Sequence, residues 1–561
     1  MQLPKNFKNY FSVSHKVRIV IVGGVAGGMS AATRMRRLNA DAEIIVLEKS
    51  GYVSYANCGL PYYIGGVITD ESALLLQTPE SLHKRFRLDV RVGSEVTAID
   101  AATKTVTVKG ITDQTYELTY DKLILSPGAT PVKPPIPGAE RAMTLRTVED
   151  VKAMFSAVSG KPKTAVVIGG GFIGVEIAEN LIHQGIKTSL VEALPQVLAP
   201  LDPEMAHIVH DEMRNKGLDL YLANGVKEIG TSDVTLADGT VLAGEIVIMA
   251  IGVRPDTTLA KMAGLTIGER GGITVNDHNQ TSHPDIYAIG DAVEKRDAID
   301  SEATLVPLAN LANRHGRTVA DHIAGRSVRV VPTIGTAIVK VFDLAIGTTG
   351  WNEKRLTAAG RDFLAIHTHP SSHAGYYPDA KQMSLKLLVD PKSGKIFGAQ
   401  GVGRDGVDKR IDVIATAMRG GITAPELADL ELAYAPPFGS AKDPVNMLGY
   451  VAENLISGLT KSVQWSDVER LQNEGYGIID VRSAAEFERG TIPGAVNISV
   501  DELRERIAEV PQKKLIVTCQ VGQRGHTASV LLRELGHEAF NLDGGYLTWS
   551  RSPANLQSLK K

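Results

Sequence analysis

Two cysteines, Cys58 and Cys519, are the residues of this chain best suited to redox and sulfur chemistry, and the 561 residues contain no others. Their wide separation in sequence predicts neither a disulfide framework nor a cysteine-based zinc site. Cys58 stands in the run Ser54-Tyr-Ala-Asn57-Cys58-Gly-Leu-Pro. A single redox cysteine cannot store two electrons as a local disulfide, so it must bond to an external sulfur or be oxidised to a sulfenic acid.

Cys519 opens the segment Cys519-Gln-Val-Gly-Gln-Arg524-Gly525, which follows an apolar run and precedes a helix predicted from Thr527 to Leu535. Successive backbone N–H groups in such a loop form an anion-binding nest. The dipole of the following helix lowers the pKa of a thiol placed there. The segment therefore predicts a reactive thiol beside an anion site.

Two glycine turns follow apolar, β-branched runs and precede predicted helices, which is the pattern of a dinucleotide-binding βαβ unit. The predicted helices run from Gly27 to Asn39 and from Gly169 to His183. Glycines allow a tight backbone there, and the pyrophosphate meets the helix N-terminus. The cofactor-binding candidates are Gly23, Val25, Ala26, Gly27, Gly28 and Glu48 in the first unit, and Gly169, Gly171, Phe172, Ile173, Gly174 and Glu192 in the second.

The two turns differ in how completely they match the Gly-x-Gly-x-x-Gly pattern. Val25 stands at the second glycine position of the first turn, which by itself is also compatible with a turn that binds nothing. The second turn matches in full. Glu192 ends the next strand, where a carboxylate binds a free 2′-hydroxyl and would repel a 2′-phosphate, so NADH is predicted rather than NADPH. Two dinucleotides in one protein suggest hydride transfer from a nicotinamide to a flavin.

Three further motifs resemble the fingerprints of the two-dinucleotide flavoprotein disulfide reductases. They are Ser126-Pro-Gly128-Ala-Thr-Pro, Ala250-Ile-Gly252-Val-Arg-Pro and Ile286-Tyr-Ala-Ile-Gly-Asp291. The resemblance implies FAD on the first βαβ unit, with Asp291 on the ribityl chain of the flavin, and NADH on the second. It adds Asn57, Ser126, Gly128, Asp291 and Gly252 to the cofactor-binding candidates.

The segment around Cys58 resembles coenzyme A-disulfide reductases more closely than the NADH oxidases and peroxidases that use a sulfenic acid. Arg34 and Arg37 share one side of the first predicted helix with Ser30, and two guanidiniums there could hold the phosphates of coenzyme A. A solvated basic helix face is the alternative. The resemblance implies contacts with coenzyme A from Ser30, Arg34, Arg37, Ser54, Asn57 and Lys442.

The segments that contain Tyr376 and Tyr434 look like the dimerisation domain of the same family. The resemblance implies a homodimer in which both tyrosines reach the active cysteine of the other subunit. A phenol can hydrogen-bond a thiolate and donate a proton to a leaving sulfur. Two core tyrosines are the alternative.

The run His367-Thr-His369-Pro-Ser-Ser-His373 places alternating histidines at a predicted strand end, a pattern that can ligate zinc. No cysteine or obvious carboxylate completes the set. We therefore expect a polar loop near a substrate channel and predict no metal.

The last hundred residues closely resemble rhodanese domains through Asp480-Val-Arg-Ser-x-x-Glu486-Phe, Gly490-Thr-Ile-Pro-Gly-Ala-Val-Asn and Leu542-Asp-Gly-Gly545. The resemblance implies that Cys519 accepts a sulfane sulfur as a persulfide held by the loop amides, with Arg524 favouring an anionic donor. An inert rhodanese fold used only for binding is the alternative.

These features predict an α/β protein with two Rossmann-like dinucleotide-binding domains, an α+β dimerisation domain and a C-terminal rhodanese domain of α/β class. The expected boundaries are 16–149 with 256–330 for the FAD-binding domain, 150–255 for the NADH-binding domain, 331–457 for the dimerisation domain and 463–561 for the rhodanese domain.

The resemblance, which covers the chain after about residue 16, implies NADH-dependent reduction of coenzyme A persulfide, other persulfides or polysulfide, with Cys519 relaying sulfur. The catalytic candidates are Cys58, Cys519, Tyr376, Tyr434 and Arg524. A plain coenzyme A-disulfide reductase, an NADH oxidase or peroxidase, and a sulfur sensor without enzymatic activity remain as alternatives.

Composition and charge narrow the possible partners. Sixty Lys and Arg against sixty-three Asp and Glu give a formal net charge of −3, which favours neither nucleic acid nor an anionic membrane as partner. We find no apolar run of about 18 residues and no secretory signal, so a cytoplasmic location is expected.

Overall fold

The structure is a computed structural model that describes residues 16–558. Residues 1–15, to which the sequence assigns no role, and the end of the expected rhodanese domain, 559–561, lie outside the described residues. The strands are β1 (Arg18–Val22), β2 (Glu43–Leu47), β3 (Asp89–Arg91), β4 (Glu95–Asp100), β5 (Thr105–Lys109), β6 (Thr115–Thr119), β7 (Lys122–Leu125), β8 (Ala129–Pro131), β9 (Thr164–Ile168), β10 (Lys187–Val191), β11 (Asp219–Tyr221), β12 (Val226–Ile229), β13 (Asp233–Leu236), β14 (Val241–Ala243), β15 (Ile246–Met249), β16 (Val253–Pro255), β17 (Ile286–Ala288), β18 (Lys295–Arg296), β19 (Ala303–Thr304), β20 (Ala337–Val341), β21 (Leu344–Gly350), β22 (Leu364–Thr368), β23 (Met383–Val389), β24 (Ile396–Gly403), β25 (Ser462–Val463), β26 (Gly477–Asp480), β27 (Ala495–Asn497), β28 (Leu515–Thr518) and β29 (Ala539–Leu542). The helices are α1 (Ala26–Leu38), α2 (Leu60–Ile64), α3 (Pro79–Phe86), α4 (Val148–Ser159), α5 (Phe172–His183), α6 (Pro203–Asn215), α7 (Thr258–Met262), α8 (Ala309–Ile323), α9 (Glu353–Ala358), α10 (Val407–Gly420), α11 (Pro444–Ile456), α12 (Val468–Asn473), α13 (Ala484–Glu488), α14 (Gln523–Glu534), α15 (Gly545–Ser550) and α16 (Pro553–Ser558).

Within the described residues the chain divides into two compact units, of which the first comprises 16–132, 144–156 and 252–333. Its centre is a parallel sheet with the strand order β17-β7-β1-β2-β3. Helices α1 and α8 approach each other so closely that a Cβ on Gly316 would lie 2.4 Å from the carbonyl oxygen of Gly27. The apolar side chains of both helices and of one sheet face form a common core. This packing fixes the N-terminus of α1 at the carboxyl end of β1.

The second unit comprises 133–143, 157–251 and 334–558 and contains three larger sheets. The first is parallel, with the order β11-β10-β9-β15. The second is antiparallel, with the order β20-β21-β24-β23-β22, and α10 and α11 pack their apolar faces on it. The third is parallel, with the order β25-β29-β28-β26-β27. Apolar side chains fill both faces of this last sheet.

The predicted α/β class is confirmed by these sheets. Both glycine turns join a buried parallel strand to a helix, as the periodicity indicated. The antiparallel sheet with its helices is the α+β region expected before the last hundred residues, and those residues form a parallel α/β fold of their own.

Two predicted helix starts are wrong. The helix expected from Gly169 begins at Phe172, because Gly169 has a φ of +108° and Gly171 is extended, so the turn occupies three residues. The helix expected from Thr527 begins at Gln523. Gly522, with a φ of +91°, ends the preceding loop, and its carbonyl accepts the first helical hydrogen bond.

Among the residues that the structure describes, no helix combines the length and the apolar character needed to cross a bilayer.

Candidate active site

The first glycine turn, residues 23–28, forms a cradle in which side chains have no room. A Cβ on Gly23, whose φ is +100°, would lie 2.1 Å from the carbonyl oxygen of Ser126, and one on Gly28 would lie 1.9 Å from that of Gly23. Glu48 is buried, and its Oε2 accepts a hydrogen bond of 2.7 Å from the Gly24 amide. Burial raises the pKa of this carboxyl above its ordinary value. Close backbone approach and a carboxylate at the end of β2 fit the pyrophosphate and ribose of FAD.

Asp291 follows β17 in a short 3₁₀ turn of the first unit. Its Oδ2 lies 3.0 Å from a guanidinium nitrogen of Arg146. A Cβ on Gly128 would lie only 3.0 Å from the same guanidinium, so a side chain at this position would crowd Arg146. The sequence singled out Asp291 and Gly128 but missed Arg146, because 145 residues separate the two ionic partners.

The second glycine turn, residues 169–174, has open space where a ligand would approach. A Cβ on Gly171 would meet nothing within 4 Å. Glu192 accepts hydrogen bonds from the Gly170 amide (2.7 Å) and the Leu194 amide (2.8 Å), which hold its carboxylate beside the turn. A glycine turn at a helix N-terminus with an acid after β10 fits a dinucleotide that has a free 2′-hydroxyl.

Cys58 lies in the 3₁₀ turn Asn57–Gly59, which leads into α2. Its side chain is exposed and forms no disulfide. The Ser54 amide donates to the Gly24 carbonyl at 2.8 Å, so the Cys58 segment is tied directly to the first glycine turn. This contact places an accessible sulfur on the same segment that borders the flavin cradle.

The three candidates for coenzyme A binding on α1 point to different partners. The Ser30 hydroxyl donates to the side-chain oxygen of Asn313 at 2.7 Å. Two guanidinium nitrogens of Arg34, Nη2 and Nε, donate to the Oδ1 of Asp321 at 2.6 and 3.0 Å. Arg37 is exposed and lies over the ring of Phe86. Any phosphate that binds at Arg34 must therefore compete with the carboxylate of Asp321 on α8 for the guanidinium. The sequence alone could not reveal this partner.

The tyrosine candidates of the second unit are on the surface rather than in the core. Tyr376 is 77% exposed and Tyr434 48% exposed, and their hydroxyl oxygens lie 2.9 Å apart. The hydrogen bond to Tyr434 raises the pKa of the Tyr376 phenol. Lys442 is also exposed, with its ammonium 5.9 Å from the ring centre of Tyr450. The alternative of two core tyrosines is therefore wrong.

Cys519 follows β28 and is completely buried. Its Sγ accepts a hydrogen bond of 3.2 Å from the Gly522 amide. We call residues 519–522 the Cys519 loop. A backbone N–H that donates to the sulfur, as the Gly522 amide does, stabilises a negative charge on it.

Arg524 lies in the first turn of α14, where both of its terminal nitrogens bind Glu486 at 2.7 and 2.8 Å. This ion pair lowers the pKa of Glu486 to about 2. The same carboxylate, together with Cys519, raises the pKa of Arg524. The sequence missed that Glu486 neutralises much of the positive charge beside the thiol.

The histidine run begins in a strand and continues into a loop, so the expected polar loop holds His369 and His373 but not His367. His367 lies in β22, and all three histidines are buried. Two carboxylates, from Glu204 and Asp543, reach the ring of His367. The sequence could not show them because they are 163 and 176 residues away.

Comparisons with known families cover most of the chain. Residues 17–316 match the family described as pyridine nucleotide-disulphide oxidoreductase, and residues 336–444 match its dimerisation domain. Residues 465–552 match the rhodanese-like domain.

Individual relatives agree with these matches. The coenzyme A disulfide reductase of Staphylococcus epidermidis is 34% identical over 439 residues, which are 78% of this chain and all of that protein. The crystal structure of reduced CoADR-RHD from Bacillus anthracis is 49% identical with a TM-score of 0.95 and covers 96% of this chain and 98% of that one. An NAD-dependent persulfide reductase from A. fulgidus is 36% identical with a TM-score of 0.90, covering 95% of this chain and 100% of that one.

Proposed function

Because the chain belongs to the pyridine nucleotide-disulphide oxidoreductase family and carries a rhodanese-like domain, we propose that it uses NADH to reduce persulfides and related sulfur compounds at Cys58. The substrates are coenzyme A persulfide, other persulfides, polysulfide or coenzyme A disulfide. One observation carries the proposal: the accessible sulfur of Cys58 lies on a segment bound to the first glycine turn. The relatives named as coenzyme A disulfide reductase and persulfide reductase support the same chemistry.

The reaction at Cys58 is a thiol–disulfide exchange followed by reduction. The Cys58 thiolate attacks the terminal sulfur of coenzyme A persulfide, the S–S bond of the substrate breaks, and coenzyme A leaves as a thiolate. FAD, held by the first glycine turn, Glu48 and Asp291, supplies two-electron transfer between NADH and sulfur. Two electrons break the new S–S bond, which releases hydrosulfide and regenerates the Cys58 thiolate. With coenzyme A disulfide as substrate, the second product is coenzyme A instead.

The proposed role of Cys519 is transfer of sulfane sulfur without net redox change. Its thiolate attacks the outer sulfur of a donor, the S–S bond of the donor breaks, and the donor leaves as a thiolate or as sulfite. The persulfide on Cys519 then passes its terminal sulfur to a second nucleophile, such as coenzyme A. The amide of Gly522 holds the charged sulfur during both steps.

We also propose a homodimer in which Tyr376 and Tyr434 serve the Cys58 of the other subunit. The match to a dimerisation domain and the exposure of both phenols support this assembly. A hydrogen-bonded phenol pair can donate a proton to the departing sulfur.

A coenzyme A-disulfide reductase with an independent rhodanese activity is the second candidate. The relative from S. epidermidis favours it, because 439 residues, 78% of this chain, match the whole length of that protein. In that case Cys519 has no part in NADH oxidation.

The deciding experiment follows anaerobic NADH oxidation and hydrosulfide release by the flavin-loaded protein. Coenzyme A persulfide, polysulfide and coenzyme A disulfide are offered separately to wild type, Cys58→Ser and Cys519→Ser. The proposal predicts fast persulfide turnover that Cys58→Ser abolishes and Cys519→Ser lowers in part. A preference for coenzyme A disulfide with no effect of Cys519→Ser supports the second candidate. NADH consumption with oxygen alone, without any sulfur acceptor, contradicts both.

A further inference from the structure

The second unit contains an ionic cluster, which we define as Asp202, Glu204, Glu353, His367, Lys386 and Asp543; all of these side chains are buried except Glu353, which is partly exposed. The Lys386 ammonium is completely buried and lies 2.9 Å from Asp202 and 2.7 Å from Glu353, and it also binds Glu204. These three carboxylates therefore converge on Lys386. The cluster joins the start of α6, the antiparallel sheet and the segment after β29, which belong to three different parts of the sequence.

His367 connects Lys386 and its carboxylates to the segment after β29. Its Nε2 lies 3.0 Å from Glu204, and its Nδ1 lies 2.6 Å from Asp543. Because each ring nitrogen faces a carboxylate oxygen, both must carry hydrogen, and the ring is an imidazolium. The main-chain amide of His367 also donates to both carboxylate oxygens of Asp543.

The charged groups around His367 agree with this protonation state. Although burial and Lys386 act against the charge, Asp543 and Glu204 outweigh them and raise the pKa of His367 to about 9. His369 faces the hydroxyls of Ser384 and Thr548 instead, and burial lowers its pKa to about 3, so it stays neutral. Two histidines that are two residues apart thus have opposite protonation states at neutral pH.

Asp543 is directly followed by the residues that hold the Cys519 loop. The Tyr546 amide donates to the carbonyl of Cys519 at 2.7 Å, and the Leu547 amide donates to that of Gln520 at 3.0 Å. The two segments pack tightly at this point, because a Cβ on Gly545 would lie only 2.5 Å from the carbonyl oxygen of Cys519. A shift of Asp543 is therefore transmitted to the Cys519 loop, whose Gly522 amide donates to the sulfur.

We propose that His367 is a positioning residue for sulfur transfer at Cys519, acting through Asp543 on the segment that holds the Cys519 loop. The inference rests on the sulfur-transfer role proposed above for Cys519. The nest has its sulfur-binding shape when the imidazolium of His367, supplied by the antiparallel sheet, fixes Asp543. The histidine is thus part of a site whose other residues lie in the rhodanese-like sequence.

The protonation of His367 sets a pH window for this effect. A pKa that is higher in the folded protein than the ordinary 6.5 means that the folded state favours the protonated ring. The resulting stabilisation is complete below pH 6.5 and is lost as the pH rises through about 9. Sulfur transfer by the wild type should weaken over the upper part of this range.

The test measures thiocyanate formation from thiosulfate and cyanide by the full-length holoenzyme between pH 5 and 10. His367→Gln and Asp543→Asn keep the size of each side chain and remove the charge. His373→Gln is the matched control, because His373 is buried in the same segment and its Nδ1 faces the carbonyl of Ala374 rather than a carboxylate. Reduction of coenzyme A disulfide by the same samples reports on the integrity of the reductase.

We expect both variants at the His367–Asp543 pair to lose about 10- to 100-fold in kcat/KM for thiosulfate, as displaced reacting groups do. The alkaline loss near pH 9 disappears in His367→Gln. The double variant loses no more than the more affected single variant, because the two residues act in series.

Four results overturn the inference. Thiocyanate formation within twofold of wild type in both variants removes the link between the cluster and the thiol. An alkaline loss near pH 9 that persists in His367→Gln shows that the pair only supports folding. An equal loss of thiocyanate formation in His373→Gln shows the same. If His367→Gln fails to bind flavin and is therefore misfolded, the same criteria are applied to Asp543→Asn alone. A wild type that forms no thiocyanate contradicts the sulfur-transfer role itself, and with it this inference.

Discussion

The two cysteines of this chain occupy opposite environments. Cys58 is exposed on a 3₁₀ turn of the first unit, in a segment tied to a glycine turn. Cys519 is completely buried, and its sulfur accepts a backbone amide of its own loop. The first environment admits a bulky substrate, whereas the second holds a small charged group.

This difference explains why one chain would use two thiols. An exposed thiol can form a bond with a sulfur that is carried on a molecule as large as coenzyme A. Backbone amides around a thiol stabilise the persulfide anion formed on it, which is one sulfur atom larger than the thiolate. On these grounds we propose reduction at the accessible Cys58 and sulfur transfer at Cys519, whose sulfur accepts a backbone amide.

The largest expected effect comes from exchanging either thiol for a hydroxyl. Cys58→Ser should lower NADH oxidation with coenzyme A disulfide by at least about 10³-fold, because serine is a far weaker nucleophile for sulfur and the bond to substrate is not formed. Thiocyanate formation from thiosulfate should stay within twofold of wild type. Cys519→Ser should give the reverse pattern in the same two assays. Loss of both activities in either variant would contradict the assignment of one activity to each thiol.

The nest at Cys519 can be tested through Gly522. Its φ of +91° is unfavourable for alanine, which keeps the backbone N–H but relieves the strain by moving it away from the sulfur, so Gly522→Ala should lower sulfur transfer by about 10²-fold. Gly536→Ala is the control, since Gly536 has a φ of +89° with nothing within 4 Å of an added Cβ. Both variants carry similar backbone strain, about 1–2 kcal/mol. Equal losses of thiocyanate formation would show that strain, and not the amide, is responsible.

The phenol pair Tyr376 and Tyr434 is expected to act in the reaction at Cys58 and not in sulfur transfer at Cys519. Tyr434→Phe removes one hydroxyl of the pair and should lower turnover with coenzyme A disulfide by about 10- to 100-fold, the range of a lost proton donor. Sulfur transfer at Cys519 should not change. Tyr377→Phe, a half-exposed neighbour, is the matched control in the same steady-state assay. A normal rate for Tyr434→Phe would exclude the phenol pair from proton transfer.

The smallest expected effect concerns the charge beside Cys519. Glu486→Gln leaves the guanidinium of Arg524 without its carboxylate, so the KM for the dianion thiosulfate should fall about threefold, as a partly exposed charge allows. Coenzyme A disulfide reduction should not respond. The exposed Glu488, two residues along, provides the control Glu488→Gln. A KM that rises in Glu486→Gln would mean that the ion pair shapes the site rather than screening it.

The sequence predicted those features that depend on neighbouring residues. The β-branched run before Gly23 and the full match of the second glycine turn located β1, β9 and the two cradles, because the spacing of glycines directly reflects backbone geometry. The loop after β28 was located in the same way. Helix starts were less accurate, since the number of residues that a glycine turn occupies depends on its φ angles.

Contacts between distant residues were missed, and several of them change the site. Arg34 was predicted on a phosphate-binding face, but its partner Asp321 is 287 residues away. His367 was assigned to a polar loop because Glu204 and Asp543 could not be recognised as its neighbours. Pairing of this kind depends on how elements pack, which periodicity within one element does not encode.

The most direct test of the two-thiol account is mass mapping of the protein after exposure to sulfur donors. The holoenzyme is reduced with NADH, freed of it anaerobically, and treated with coenzyme A disulfide or, separately, with thiosulfate. The account predicts coenzyme A in disulfide linkage on the peptide that contains Cys58 and one additional sulfur on the peptide that contains Cys519. Coenzyme A bound to Cys519, or no additional sulfur on that residue, would contradict it.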